Sequence, residues 1–155
     1  MSRQATAIAR RVHEALETAT GSRLDLEKAI RWPGKSEPLW PRADISGLLS
    51  TGELLIVEID HHADPVRSVV KYWPLLHAMN SGEPQHPPIA FVEVSQPDDT
   101  FGTGYQLLAK FIGERFTDDY SGKFRFRYID LGNGDEDRIA EAIVAFLSEA
   151  GGHQI

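Results

Sequence analysis

The residues with the clearest chemical potential lie at the end of a hydrophobic segment, LLIVEID, at residues 54–60. Because side chains alternate between the two faces of a strand, Glu58 and Asp60 are expected on one face, about 7 Å apart. The segment before it, PRADISGLL, is separated from it only by the turn STGE, so the two are expected to pair as antiparallel strands. That pairing predicts Asp44 at the same end of the sheet, where three carboxylates would converge.

A carboxylate cluster of this kind suits a hard divalent cation. Mg²⁺ and Mn²⁺ take oxygen ligands and keep water molecules for a substrate phosphate or for attack. Hydrolysis of a phosphodiester also needs positive charge near the attacked phosphoryl group. Lys71 lies on the helix predicted directly after the strand. We therefore predict Asp44 and Glu58 as metal ligands, Asp60 as a further ligand or a residue that orients water, and Lys71 as the phosphate-stabilising residue.

The same residues also allow a purely structural interpretation. Glu58 and Asp60 would then lie at the solvated end of a strand, with Asp60 capping the following loop and Lys71 forming an ordinary ion pair. His61 and His62 raise the question of a zinc site, since imidazole and carboxylate are good zinc ligands. Adjacent strand residues point to opposite faces, so the two histidines do not easily bind one ion, and only His62 shares the acidic face.

Helical and strand periodicities define the elements that must position these residues. After a first helix, Leu24, Leu26 and Ile30 suit either a short helix or a short strand. The sequence then predicts the order strand, strand, helix, strand, helix, strand, helix, with Pro74 kinking or shortening the first of these helices. A hairpin-like pair followed by alternating units favours a mixed sheet with helices on both faces. We therefore expect an α/β fold, a three-layer sandwich with a central mixed β-sheet flanked by helices, formed as a single domain over residues 1–155.

Three later segments are assigned to the sheet and its covering helices. IAFVEVS, at residues 89–95, is predicted as a strand buried on both faces because its apolar run is nearly continuous. KFRFRY, at residues 123–128, is predicted as an edge strand kept soluble by its charges, with a local basic strip for nucleic acid as the alternative. The helix between these strands, from about 104 to 116, is expected to bury four large apolar side chains, Leu107, Leu108, Phe111 and Ile112.

The segment PRADI, the short turn, LLIVEID and the helix with the KY pair resemble the PD-(D/E)XK nuclease-like superfamily, which has the restriction-endonuclease-like fold. The resemblance covers about residues 41–95. It implies that Asp44 on one core strand and Glu58 on the next bind one or two divalent ions and hydrolyse phosphodiesters. The family's lysine stands two residues after the second acid, where this sequence has Asp60. The resemblance implies that Lys71 supplies it from the following helix.

The implied function is divalent-metal-dependent hydrolysis of DNA or RNA. The alternative is a catalytically inactive relative that serves as a binding or assembly module, such as a homodimer formed through aromatic surface. A net charge of −7 counts against a broad nucleic-acid-coating surface, and the lack of cysteine excludes thiolate metal sites and disulfides. No signal-peptide core and no run of about 20 apolar residues is found, so a cytoplasmic protein without membrane contact is expected.

Overall fold

The computed structural model describes residues 3–31, 38–61, 64–80, 86–96, 102–132 and 135–149. The strands are β1 (Asp25–Arg31), β2 (Pro38–Leu48), β3 (Leu54–His61), β4 (Ile89–Gln96) and β5 (Phe124–Asp130). The helices are α1 (Arg3–Thr20), α2 (Pro65–Val70), α3 (Trp73–Asn80), α4 (Gly102–Asp119) and α5 (Glu136–Glu149). The strands form one sheet in sequential order, antiparallel from β1 to β3 and parallel from β3 to β5.

The sheet separates two hydrophobic clusters, each covered by its own helices. Leu55, Val57 and Ile59 of β3 pack with α1 and α5, whereas Ile56 packs with α2, α3 and α4. Strand β4 is buried on both faces, as its apolar run predicted, because its side chains alternate between the same two clusters. The predicted three-layer α/β sandwich with a central mixed sheet is therefore confirmed.

The helical segment after β3 is divided into two helices by a proline. Asp64 caps α2, where its side chain accepts hydrogen bonds from the backbone N–H groups of Val66 and Arg67. Pro74 has no N–H for the carbonyl of Val70, so a continuous helix would lose one hydrogen bond at this position. Lys71 and the residue after it therefore lie between α2 and α3, and the predicted shortening at Pro74 is confirmed.

Strand β1 changes the face on which its apolar side chains lie. Leu26 packs against the cluster of α1 and α5, whereas Ile30 packs in the cluster of α2, α3 and α4. Regular alternation would place both on one face, since they are four residues apart. Glu27 lies between them with a φ of +52°, in the left-handed region that residues with a Cβ rarely adopt. This single backbone rotation inverts the strand.

Strand β2 makes the matching change at Asp44. Ile45 packs with α1 and α5, whereas Ala43 packs in the cluster of α2, α3 and α4. Asp44 lies opposite Glu27, between paired residues on either side. The two strands therefore invert together, which preserves their mutual pairing and releases Asp44 from regular alternation.

The predicted burial of α4 is wrong for three of its four large apolar residues. Leu107 is 64% exposed, Phe111 is 65% exposed and Leu108 is also exposed, whereas Ile112 packs partly against the core. The helix meets the core through Ala109, Gly113 and Phe116 instead, and a Cβ at Gly113 would lie 2.4 Å from the ring of Phe126. The apolar pattern therefore predicted the helix correctly, but it predicted the wrong face of the helix as buried.

The basic residues of β5 are occupied within the fold. β5 is an edge strand, as predicted, and Arg125 and Arg127 lie on the face covered by α5. The guanidinium of Arg125 makes two hydrogen bonds, of 2.7 and 2.8 Å, to the Glu53 carboxylate and lies over the Phe146 ring. Arg127 is paired with Glu149 at 2.5 Å. The edge-strand interpretation therefore agrees with these contacts better than a free basic strip does.

Candidate functional site

The candidate site is a row of polar side chains across the parallel strands. Glu58 on β3 is paired with Glu93 on β4, and Glu93 is paired with Tyr128 on β5. All three lie on the face covered by α2, α3 and α4, because the apolar residues two positions earlier in each strand pack there. Both glutamates are buried, and Glu93 has no exposed surface. Two carboxylates are therefore neighbours inside the hydrophobic layer.

Asp44 lies where the ladder between β2 and β3 ends. The last paired residues are Ile45 and Val57. Beyond them, Asp44 Oδ2 accepts a hydrogen bond of 2.7 Å from the backbone N–H of Ile59. The carboxylate thus takes the role that a strand carbonyl would have in a longer ladder. Asp44 and Glu58 are close enough for the charge of Asp44 to raise the pKa of Glu58, as the antiparallel prediction required.

Lys71 reaches the Glu58 carboxylate from the gap between α2 and α3. Its Nζ lies 2.8 Å from Glu58 Oε1 and donates a second hydrogen bond of 3.1 Å to the backbone oxygen of Arg42. The Lys71 side chain is 29% exposed, whereas that of Glu58 is only 5% exposed. An ammonium group has three donors, so these two contacts leave one N–H for another acceptor.

Tyr72, the neighbour of Lys71 in sequence, approaches the same carboxylate oxygen. Its hydroxyl donates a short hydrogen bond to Glu58 Oε1. The ring is buried and contacts Phe91 edge-on, with ring centroids 5.1 Å apart. Burial and the charge of Glu58 raise the pKa of the Tyr72 hydroxyl, which keeps it protonated as a donor.

Burial dominates the electrostatics of the acids. It raises the pKa of Glu58 to about 8, although Lys71 opposes the rise. Burial also raises the pKa of Asp44, and the hydrogen bond from Ile59 acts in the opposite direction. For Glu93, burial, the charge of Asp60 and a hydrogen bond with the Asp60 carboxyl raise the pKa well above its ordinary value. Burial thus favours the protonated form of these acids, and a bound cation would displace their protons.

Asp60 adds a fourth acid at the end of the row. It is paired with Ser95 on β4, two residues beyond the pair of Glu58 and Glu93. Asp60 Oδ2 and both carboxylate oxygens of Glu93 are buried, and within the described ranges they have no hydrogen-bond partner apart from the interaction of the two carboxyl groups with each other. Buried polar atoms without partners are rare in folded proteins. This part of the site therefore has unused acceptor capacity.

The chemistry of these side chains fits a hard divalent cation, although the side chains are spread along the sheet and not grouped around one point. Carboxylate oxygens are the ligands that Mg²⁺ and Mn²⁺ prefer, and the buried oxygens of Asp60 and Glu93 are of this type. No three His, Asp or Glu side chains of the described ranges are grouped as ligands of one ion. Asp44, Glu58 and Asp60 share one end of the sheet but do not form the compact triad that the sequence suggested.

Two acids of helix α1 lie on the other side of the sheet from this row. Helix α1, with Glu14 and Glu17, packs on the opposite face of the sheet, and Glu17 accepts a hydrogen bond of 2.8 Å from the N–H of Leu24. Neither acid belongs to the row of Glu58. The side chain of His61 and all of His62 fall outside the described part of the chain.

Sequence reasoning missed two members of the site. Glu93 is the single charged residue of the segment IAFVEVS, so a carboxylate within an apolar strand was the available signal. Its position beside Glu58 depends on the parallel register of β3 and β4, which is not encoded locally. Tyr72 is next to Lys71 in the sequence, but the sequence did not show that both side chains would contact the same oxygen of Glu58.

Comparisons with known proteins identify no relative: no protein-family model, curated protein or solved structure matches the chain. Among the helices within the described ranges, none combines the length and apolar character needed to cross a membrane. The functional argument therefore starts from the arrangement of the side chains.

Proposed function

We propose that the protein is a divalent-metal-dependent nuclease of the PD-(D/E)XK-like type, acting on phosphodiesters of DNA or RNA. The observation that supports this proposal best is the 2.8 Å contact between Lys71 Nζ and Glu58 Oε1. The sequence lacks the lysine two residues after Glu58, and this contact offers an ammonium group at the same carboxylate from a different element.

Asp44 and Glu58 are the proposed metal ligands, with Asp60 as a further ligand or as the acceptor that orients the attacking water. A bound Mg²⁺ or Mn²⁺ would neutralise negative charge that develops on the phosphoryl oxygens. The hydrogen bond from Ile59 fixes one oxygen of Asp44 and leaves the other oxygen as a ligand. The third N–H of Lys71 would donate to a phosphoryl oxygen, which stabilises the attacked group.

Cleavage assays with single-stranded and double-stranded DNA and RNA test this proposal. Cleavage is expected with Mg²⁺ or Mn²⁺ and should be lost when EDTA is added. Glu58→Gln and Lys71→Met should each lower the rate by about 10² or more, since each removes a charged group from the reacting centre. The rate is measured at constant ionic strength to keep substrate binding comparable.

Two exposed residues away from the site provide charge-matched controls. Glu141→Gln on α5 removes an acid on the opposite side of the sheet, and Lys28→Met removes an ammonium group from β1. Both variants should cleave at the wild-type rate. Cleavage that survives Glu58→Gln, or an equal loss in all four variants, would contradict the assignment.

The second candidate function is that of a non-catalytic assembly module, and the exposed face of α4 supports it. The exposed apolar residues of α4 include pairs at helical spacing: Leu108 lies three residues after Tyr105 and three before Phe111, and Leu107 lies four before Phe111. With about 200 Å² for each aromatic side chain, they expose a few hundred Å², less than the roughly 800 Å² that each partner buries in a stable complex.

We propose that this surface binds a second copy of the chain, with the apolar residues at the centre of the interface. Glu114 and Arg115 follow on the exposed side of α4, and their opposite charges provide a polar rim. A twofold axis would bring each copy's patch against the same patch of the other. The rim and the neighbouring surface would supply the area that the apolar patch lacks.

A further inference from the structure

The least explained feature of the molecule is the fully buried side chain of Glu93. It lies in β4, between β3 and β5, and has no exposed surface. Apart from the interaction with the Asp60 carboxyl, neither carboxylate oxygen has a hydrogen-bond partner in the described ranges. A buried polar group without a donor from the surrounding fold costs about 1 to 3 kcal/mol of folding free energy, which a leucine at the same position would not cost. A ligand that supplies the missing interaction explains the residue.

The neighbours of Glu93 identify the charge of that ligand. Its paired residue on β3 is Glu58, and Asp60 lies two residues after Glu58 on the same face of β3. Asp60 contributes a third buried oxygen, and its carboxyl interacts with that of Glu93. Lys71 is the cation that acts on Glu93, but its Nζ is already bonded to Glu58 and to the Arg42 carbonyl. A deprotonated carboxylate offers only acceptor atoms, so the ligand that this pair fits is a cation that displaces the protons.

The available donor atoms identify its chemical class. The available atoms are carboxylate oxygens, and Ser95, which is paired with Asp60, adds a buried hydroxyl beside them. Mg²⁺ and Mn²⁺ bind through one or two carboxylates and complete their coordination with water or substrate oxygens. Two carboxylates are therefore sufficient for such an ion.

We propose that Glu93 and Asp60 form a divalent-cation site across β3 and β4, beside the pair of Glu58 and Lys71. The inference rests on the proposed function for the choice of cation but not for hydrolysis. It adds a residue that the nuclease-like motif does not contain, and it assigns Asp60 to the Glu93 side of the site. Glu93 thus becomes a metal ligand instead of an unexplained core residue.

Isothermal titration with MnCl₂ alone tests this site in the full chain. Wild-type protein should bind Mn²⁺, and Glu93→Gln and Asp60→Asn should each weaken binding by about ten-fold or more. Glu141→Gln, which removes an exposed acid from α5, should bind as wild type does. Circular dichroism confirms that each variant is folded. Equal affinity in wild type and Glu93→Gln, or no Mn²⁺ binding by wild type, would overturn the proposal.

A crystal soaked with Mn²⁺ provides a measurement that does not depend on a variant. An anomalous peak within coordinating distance of a Glu93 oxygen supports the site. A peak only at Asp44, or only ordered water or a carboxylic acid pair between Glu93 and Asp60, overturns it.

The two proposals fail in different ways. Binding of Mn²⁺ that depends on Glu93, without cleavage of any nucleic acid, refutes the nuclease and leaves the cation site intact. Cleavage and Mn²⁺ affinity that are both unchanged by Glu93→Gln refute the cation site alone.

Discussion

Glu58 receives two donors from adjacent residues yet remains an acid in a largely apolar layer. Lys71 and Tyr72 both contact its Oε1 atom, whereas burial raises its pKa to about 8. A group with a pKa near neutrality can exchange a proton under ordinary conditions, which suits an acid that must be deprotonated to bind a cation. The raised pKa also makes the stability of the fold depend on pH.

The pKa of Glu58 is about 8 in the folded chain against 4.5 ordinarily, so between these values the folded chain holds a proton that the unfolded chain has released. The contribution of Glu58 to stability is therefore fully present below about pH 4.5 and is lost as the pH rises through about 8. Glu58→Gln resembles the protonated form. It should gain stability relative to wild type, by a few kcal/mol, between pH 5 and pH 9.

Urea unfolding of both proteins at pH 5, 7 and 9 measures this difference. Glu141→Gln is the matched control, because it removes an exposed acid and should leave the wild-type pH dependence unchanged. A wild-type protein that gains stability relative to Glu58→Gln as the pH rises would instead indicate that the ion pair with Lys71 dominates.

The predictable part of the site is the part that local geometry determines. Strand alternation and a short turn were enough to bring Asp44 and Glu58 to one end of the sheet, and the following helix was enough to suggest Lys71. Glu93 was not predictable, because its neighbour Glu58 is 35 residues away and their register depends on packing between the helical layers. The metal ligands, the cation and the activity stay predictions.

At the scale of elements, the inversion of β1 and β2 explains how Asp44 leaves the regular pattern. Glu27 adopts its φ of +52° at a cost of about 1 to 2 kcal/mol relative to a right-handed conformation. Its backbone oxygen accepts a short hydrogen bond from Arg42 Nε, and its carboxylate lies 3.9 Å from the same guanidinium. The backbone hydrogen bond does not need the Glu27 side chain, and an ion pair this long and exposed contributes little.

Glu27→Gly is expected to raise the free energy of unfolding by about 1 kcal/mol, because glycine adopts a positive φ without steric strain. Lys28→Gly, one residue later in the same edge strand, should lower it by about 0.5 to 1 kcal/mol. Chemical denaturation of the two variants measures both changes. A loss of stability in Glu27→Gly equal to that in Lys28→Gly would show that Glu27 is not strained.

Most element types and their order were predictable from periodicity, because each helix and strand has a local apolar pattern. The orientation of α4 was not. Gly113 lets the helix approach the Phe126 ring, and this close contact determines which side faces the sheet. Large apolar side chains such as Leu107 and Phe111 are consequently left outside, although their spacing resembles that of a core.

At the scale of the whole molecule, the exposed face of α4 predicts self-association. Size-exclusion chromatography with light scattering should give about twice the chain mass of 17.3 kDa at high concentration and should approach the single-chain mass on dilution. Phe111→Ser should weaken the dimer by at least ten-fold, since aromatic residues at an interface centre contribute most of the affinity.

Leu48→Ser is the control for this measurement, because Leu48 is an equally exposed apolar residue on β2 instead of α4. It should leave the oligomeric state unchanged. A single-chain mass for the wild-type protein at all concentrations, or equal effects of the two variants, would exclude α4 as a self-association surface.

The convergence of Lys71 and Tyr72 on Glu58 does not follow from helical geometry. In a continuous α-helix, neighbouring residues diverge by about 100° around the axis, so they do not face one acceptor together. Lys71 and Tyr72 nevertheless reach one oxygen, because the long Lys71 side chain extends over the Tyr72 ring, with its Nζ 5.2 Å from the ring centroid. Just before Pro74, two consecutive residues thereby donate to one carboxylate, that of Glu58.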